Sequence, residues 1–181
     1  MSQIAQKSPQ LKARVAAVFY LLVFVTGTLA FVAVRGRLVA SLAATVCYVI
    51  VTVLFYELFK PVNRRLSLLA AFFSLVGCAV GALNALHLVL FPVNSLVFFG
   101  FYCLLIGYLV FKSTFLPRVL GVLMALGGLG WLTFASPSLV RALSPYNMAP
   151  GVFGEGMLTL WLLVMGVNVQ RWHQQATAAT A

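Results

Sequence analysis

Residues 38–65 read LVASLAATVCYVIVTVLFYELFKPVNRR, and this stretch decides the fold. From Leu38 to Phe59 the chain is apolar except for Glu57 near its end, and then Lys60-Pro61-Val62-Asn63-Arg64-Arg65 interrupts it. A helix needs about 20 such residues to cross a hydrocarbon core of ~30 Å. Proline at position 61 cannot continue a helix and pushes Lys60 out of the helical region, so the span stops there. Five further runs follow the same rule: Val15 to Val34, Leu66 to Leu90, Pro92 to Phe111, Val119 to Ala135 and Val152 to Gln170. A backbone in lipid must satisfy its own hydrogen bonds, so apolar runs of this length predict helices. The expected fold is an all-α bundle of six transmembrane helices with short loops.

Composition agrees. Of 181 residues, 63% are hydrophobic and 8% charged, and the mean hydropathy is +1.07. A soluble domain carries about 25% charged residues. The chain therefore reads as one transmembrane domain, residues 15–170, between tails at 1–14 and 171–181. The first run is too long for a secretory signal, and no small-residue cleavage site ends it.

The net charge of +10 is dispersed along membrane edges rather than drawn into a stripe with aromatics. That excludes a nucleic-acid surface and points to anionic lipid headgroups. With the N-terminus inside, Lys7, Lys12, Arg14, Lys60, Arg64, Arg65, Lys112, Arg118 and Arg171 fall inside, against Arg35, Arg37 and Arg141 outside. Retained loops hold the excess of Lys and Arg, so both termini are expected in the cytoplasm.

Span three carries Gly77, Gly81 and Ala85 at a spacing that lets another backbone approach, and span five holds Gly121, Ala125, Gly127, Gly128 and Gly130. Both are expected inside the bundle. A faint echo relates Tyr56 to Lys60 with Tyr108 to Lys112, each followed by a proline and an arginine. The only sizeable loop is Ser136 to Pro150, with one helical turn over Ser138 to Leu143 that lies on the headgroups or closes over a cavity.

Chemistry-bearing residues are few. There is no aspartate, and the acids are Glu57 and Glu155. The chain has no phosphate-cradling loop, no HExxH and no CxxCH, and no Ser-His-Asp set can be assembled. No metal site, catalytic set or cofactor is assigned. Cys47, Cys78 and Cys103 fall in mid-span without metal or disulfide spacing and read as small buried hydrophobes. Glu57 with Lys60, Asn63, Arg64 and Arg65 forms an expected inner-face structural cluster. Glu155, just after Pro150, is read either as a first-turn helix acid favoured by the free N–H groups or as a group facing an outer cavity. Asn84 and His87 share a face of span three. The topology places Asn84, His87, Arg141, Tyr146 and Glu155 near the outer face, as a candidate polar pocket. Trp172 and His173 read as an interface anchor.

The run Tyr56-Glu57-Leu58-Phe59-Lys60-Pro61-Val62-Asn63-Arg64-Arg65 through Phe72 resembles the signature of a bacterial family of uncharacterised multi-pass membrane proteins, domain of unknown function 4386. Gly107 to Ser113 and Leu116 to Leu123 are similar to it too. The resemblance implies an inner-membrane protein of several spans and no particular activity. This chain departs from the family pattern in its very short first outer turn, Arg35 to Arg37. Three functions stay open: a non-catalytic accessory subunit or lipid- or quinone-binding bundle, a small transporter using the outer pocket, and a membrane enzyme with His87 as base and Glu155 as acid.

Overall fold

A computed structural model describes residues 8–32, 35–88 and 94–179. Among these residues every regular element is helical: α1 (Pro9–Val32), α2 (Arg37–Phe59), α3 (Arg64–Ala85), α4 (Ser95–Lys112), α5 (Arg118–Leu132), α6 (Pro137–Leu143), α7 (Ala149–Val164) and α8 (Val169–Ala178). Helices α1 to α5, the last extended by the 3-10 turn to Ala135, are long and apolar enough to cross a membrane. Tyr146–Val164 and α8 together are long and apolar enough for a sixth span, with a 107° bend between them. The protein is a multi-pass, all-helical membrane protein.

Asparagine side chains cap three helix starts. Asn63 Oδ1 accepts from Leu66 N at 3.0 Å, Asn94 Oδ1 from Leu96 N at 3.0 Å, and Asn168 Oδ1 from Arg171 N at 3.0 Å. Each satisfies one of the backbone donors that a helix leaves free at its start. The turn around Pro92 lies outside the described residues, apart from Asn94.

The long helices close a ring, α1–α2–α3–α4–α5–α7 and back to α1. Lipid tails are as apolar as leucine, so burial alone does not hold such helices together, and close packing of small residues and interhelical hydrogen bonds must. The α4–α5 seam shows how. A Cβ on Gly107 would sit 2.7 Å from Gly121 O, and one on Gly121 2.6 Å from Gly107 O. Two helical turns away, a Cβ on Gly128 would sit 2.8 Å from Gly100 O, and one on Gly100 3.0 Å from Gly128 O. These reciprocal glycine pairs fix the antiparallel register of the two helices. On its other side α5 meets α7, where a Cβ on Gly127 would lie 3.0 Å from Pro150 O and one on Gly130 3.0 Å from Asn147 O. Between α2 and α3 the seam is polar: Thr52 Oγ1 and Ser74 Oγ lie 2.5 Å apart, and Ser67 Oγ donates to Tyr56 O at 3.1 Å. Helix α1 turns the stripe Ala13, Ala16, Ala17 and Tyr20 inward.

Several sequence expectations change here. Helix α5 is built for close approach on both sides, but α3 is peripheral. It packs chiefly on α2 and α4, and Leu68 and Phe72 point away from the bundle. Gly77 makes room for the Phe99 ring, 3.1 Å from where its Cβ would be, and Gly81 leaves looser space beside Ser95. Helix α1 starts at Pro9, inside the stretch read as a tail, and α8 carries order through Ala178. Helix α7 ends at Val164 rather than Gln170. The echo survives only as geometry: Lys60 Nζ lies 5.9 Å from the Tyr56 ring centre and Lys112 Nζ 5.8 Å from that of Tyr108. Any cation four residues after an aromatic on a helix can do this, so it is no sign of duplication.

The amphipathic helix α8 lies across the Lys-rich end of the bundle. Trp172 Nε1 donates to Leu58 O at 2.9 Å, and Gln175 Oε1 accepts from Thr114 N and Thr114 Oγ1, both at 3.0 Å. The bend before it turns on Gly166, whose φ of 70° favours glycine. Gln10 closes the bend from α1: its Oε1 accepts from Val167 N at 2.8 Å and its Nε2 donates to Met165 O at 3.2 Å. A methyl group on Gly166 would strike the Gln10 amide. Gly166→Ala is therefore expected to destabilise the protein by about 2 kcal/mol, read as a lower thermal midpoint in detergent.

Candidate functional site

The ring leaves a cavity of about 570 Å³ between its helices. Its wall includes Phe24 and Gly27 from α1, Arg37, Ser41 and Tyr48 from α2, Gly77 and Cys78 from α3, Phe99 from α4, Trp131 from α5 and Glu155 from α7. Arg37 starts α2 at the end opposite the Lys-rich one, and the helical rise from Arg37 to Tyr48 is roughly 16 Å. The cavity thus runs from a cationic mouth to a floor beside Tyr48, halfway along α2. Its wall is mostly apolar.

The floor is built around Glu155, almost two turns into α7 and 6% exposed. Oε1 accepts from Trp131 Nε1 at 2.5 Å and from Cys103 Sγ at 3.3 Å. Oε2 accepts from Tyr20 Oη at 2.7 Å, and Tyr48 Oη lies 3.1 Å behind Tyr20 Oη. Since Tyr20 spends its proton on Glu155, Tyr48 donates to Tyr20, and the chain Tyr48–Tyr20–Glu155 leads from the cavity wall to the carboxyl. An indole N–H can only donate, so the surroundings suit an acceptor. A buried carboxylate needs partners, and donors from α1, α4 and α5 supply them. Among the described residues, the ion pairs go to Glu57 and none to Glu155. Beside this group, Tyr102 Oη is buried without a hydrogen-bond partner.

The candidate polar residues divide. Glu155 faces the main cavity, but its carboxyl is held by side chains of other helices and not by the N–H groups of its own first turn. Asn84 and His87 line a second cavity of about 440 Å³ with Arg37, Leu38, Ser41, Gly81 and Ala85. The two cavities share Arg37, Ser41 and Gly81 and so adjoin at the mouth. Arg141 on α6 and Tyr146, 78% exposed, line neither. From their segment it is Met148 that reaches the main cavity. His87 and Glu155 line different cavities, so the structure brings no acid–base pair together from them.

His87 has a structural role the sequence did not reveal. Its φ is 56°, and Leu88 N donates across it to Leu83 O at 3.0 Å. That is a left-handed helix stop, a place where glycine is usual. It ends α3 before Leu90, where the apolar run ends. His87→Gly is expected to keep the thermal midpoint or raise it, by up to about 1 kcal/mol of stability; a fall would show that the imidazole itself holds the turn.

Tyr20, Tyr48, Tyr102, Cys103 and Trp131 were not legible as site residues. Each sits in an apolar run on which aromatics and cysteine pass as core. The one available signal was Glu155 itself, an acid at membrane depth that must find partners.

At the Lys-rich end, Glu57 Oε1 lies 3.8 Å from Lys60 Nζ, and Oε2 lies 3.4 Å from Lys12 Nζ on α1. Arg64 and Arg65 are exposed, and Asn63 is the α3 cap described above. The Lys12–Glu57 pair ties α1 to α2, a link worth less than about 1 kcal/mol at this exposure.

No solved structure matches the chain. An uncharacterised protein of Archaeoglobus fulgidus is 32% identical over 127 residues, covering 65% of this chain and 76% of that relative. Relatives of the chain therefore include an archaeal protein, beyond the bacterial origin that the resemblance implies. Residues 37–94 and 93–166 match one family profile. These segments take in the Lys-Pro-Val-Asn-Arg turn and the glycine seam as well as Glu155, and the chain belongs to the family described as Domain of unknown function (DUF4386).

Proposed function

We propose that this protein holds a hydrophobic small molecule, of the size of a quinone head or a single lipid chain, inside its helical ring. The observation that carries the reading is the apolar cavity of about 570 Å³ with a polar floor. Ligand pockets have volumes of about 300–1,000 Å³ with few, placed polar groups. The adjoining cavity with Asn84 and His87 serves as its vestibule and shares Arg37, Ser41 and Gly81 with it. On this reading the protein is a non-catalytic binding subunit of the cytoplasmic membrane, with partner subunits along its apolar faces. The excess of Lys and Arg at one end supports an orientation with both termini in the cytoplasm, against anionic headgroups. Transport is the second reading, favoured by Glu155, because acids at membrane depth mark substrate and ion pathways.

Gly27 supplies the test. It lines the cavity, and a Cβ there meets nothing within 4 Å, so the side chain of Gly27→Phe starts in open space and takes up cavity volume. Native mass spectrometry of protein purified in mild detergent is expected to show a hydrophobic adduct on the wild type that is missing from Gly27→Phe. The same adducts on both would overturn the reading.

A further inference from the structure

We infer that the occupant of the main cavity is a hydrophobic organic cation, a protonated or quaternary amine on an apolar body. The inference rests on the cavity being a ligand site and adds the charge of its ligand.

The floor offers acceptance, not donation. In its ionised form the carboxyl would have about four lone-pair positions, with Trp131, Cys103 and Tyr20 on three of them. One position on Oε2 stays uncommitted. The Trp131 N–H, the Cys103 S–H and the Tyr20 O–H are spent on it, and Tyr48 spends its own proton on Tyr20. A quinone carbonyl or a fatty-acid carboxylate reaching this floor needs a donor, and among the described residues the buried hydroxyl without a partner is that of Tyr102, which does not line the cavity. An ammonium N–H instead meets the open lone pair. A quaternary centre needs no hydrogen bond and is drawn by the charge alone, which acts strongly away from water.

The walls point the same way. Rings of Phe24, Tyr48, Phe99 and Trp131 line the cavity above Glu155, and Tyr48 and Phe99 stand 4.5 Å apart between centres. Faces of aromatic rings attract cations within about 6 Å. The cation nearest in the wall is Arg37, at the mouth, roughly 16 Å of helical rise from Tyr48. It leaves the carboxyl of Glu155 without an ionic partner, as no ion pair among the described residues involves it. An entering cation supplies that partner.

The experiment uses the full chain in detergent, with radiolabelled tetraphenylphosphonium as probe and tetraphenylborate, its anion of matching shape, as competitor. Wild type is expected to bind the phosphonium saturably, and the borate to compete poorly. Glu155→Gln, which keeps an acceptor for Trp131 and similar volume, is expected to weaken binding by roughly two orders of magnitude, as loss of a buried charge partner does. Its thermal midpoint, measured alongside, shows that the fold persists. Gly27→Phe is expected to abolish binding. Equal competition by the borate, or undiminished binding by Glu155→Gln, would overturn the cationic ligand while leaving the cavity a binding site. Binding of uncharged triphenylmethane but not of the phosphonium would do the same. If none of the three probes bound, the cavity reading would fall as well.

Discussion

Gly121→Leu is expected to abolish the folded bundle. At this position α4 and α5 touch backbone to backbone, and a Cβ would lie 2.6 Å from both Gly107 O and Phe111 N. No rotamer change relieves a clash with backbone, so the helices must part. Parting them also opens the Gly100–Gly128 contact in the same register. The cost is about 3 kcal/mol or more, a large share of the marginal stability of a small domain. Gly156→Leu is the control, because a Cβ there meets nothing within 4 Å. That change replaces glycine by a better helix former and is expected to hold or raise stability, by up to about 1 kcal/mol. Monodisperse yield and thermal unfolding in detergent separate the two. Equal behaviour would mean that the α4–α5 seam is not glycine-packed.

Glu155→Ala is expected to cost about 3 kcal/mol, since it leaves Tyr20, Cys103 and Trp131 with buried donors and no acceptor. Glu155→Gln keeps one acceptor oxygen and a similar shape, so about half of that loss is expected. Thermal unfolding gives the order, and the fluorescence of Trp131, whose indole loses its partner, reports the local change. Should the alanine variant melt with the wild type, the carboxyl would not be the bond that joins α1, α4, α5 and α7 at the floor.

The helices were legible because their physics is local. Twenty apolar residues bounded by Lys-Pro-Val-Asn-Arg need no knowledge of the rest of the chain to be read as a span. Their arrangement was less so. Gly121 and Gly128 announced close approach on α5, but their partners Gly100 and Gly107 are single glycines in an aromatic run. Only a register between two helices makes the pairs visible. On α3, Gly77 and Gly81 stand four residues apart and have a different use, because a Phe99 ring and a cavity stand where a backbone was expected. The floor was hardest to foresee. Glu155 stood out by its charge, but Tyr20, Cys103 and Trp131 come from three other helices, and no spacing along the sequence links them. Asn84 and His87 were grouped with Glu155 by depth alone. They face an adjoining cavity, because His87 takes a left-handed turn that ends α3 and position around the ring matters as much as depth.

The central claim is that a hydrophobic molecule can enter the ring as far as Tyr48 and Phe99. Photolabelling of the full chain with a small apolar diazirine, mapped residue by residue by mass spectrometry, tests it most directly. The account expects labels on Tyr48 and Phe99 that vanish in Gly27→Phe, while the membrane-facing Leu68 and Phe72 label equally in both proteins. Labels confined to Leu68, Phe72 and other outward residues of the wild type would mean that the cavity admits nothing, and would contradict the account.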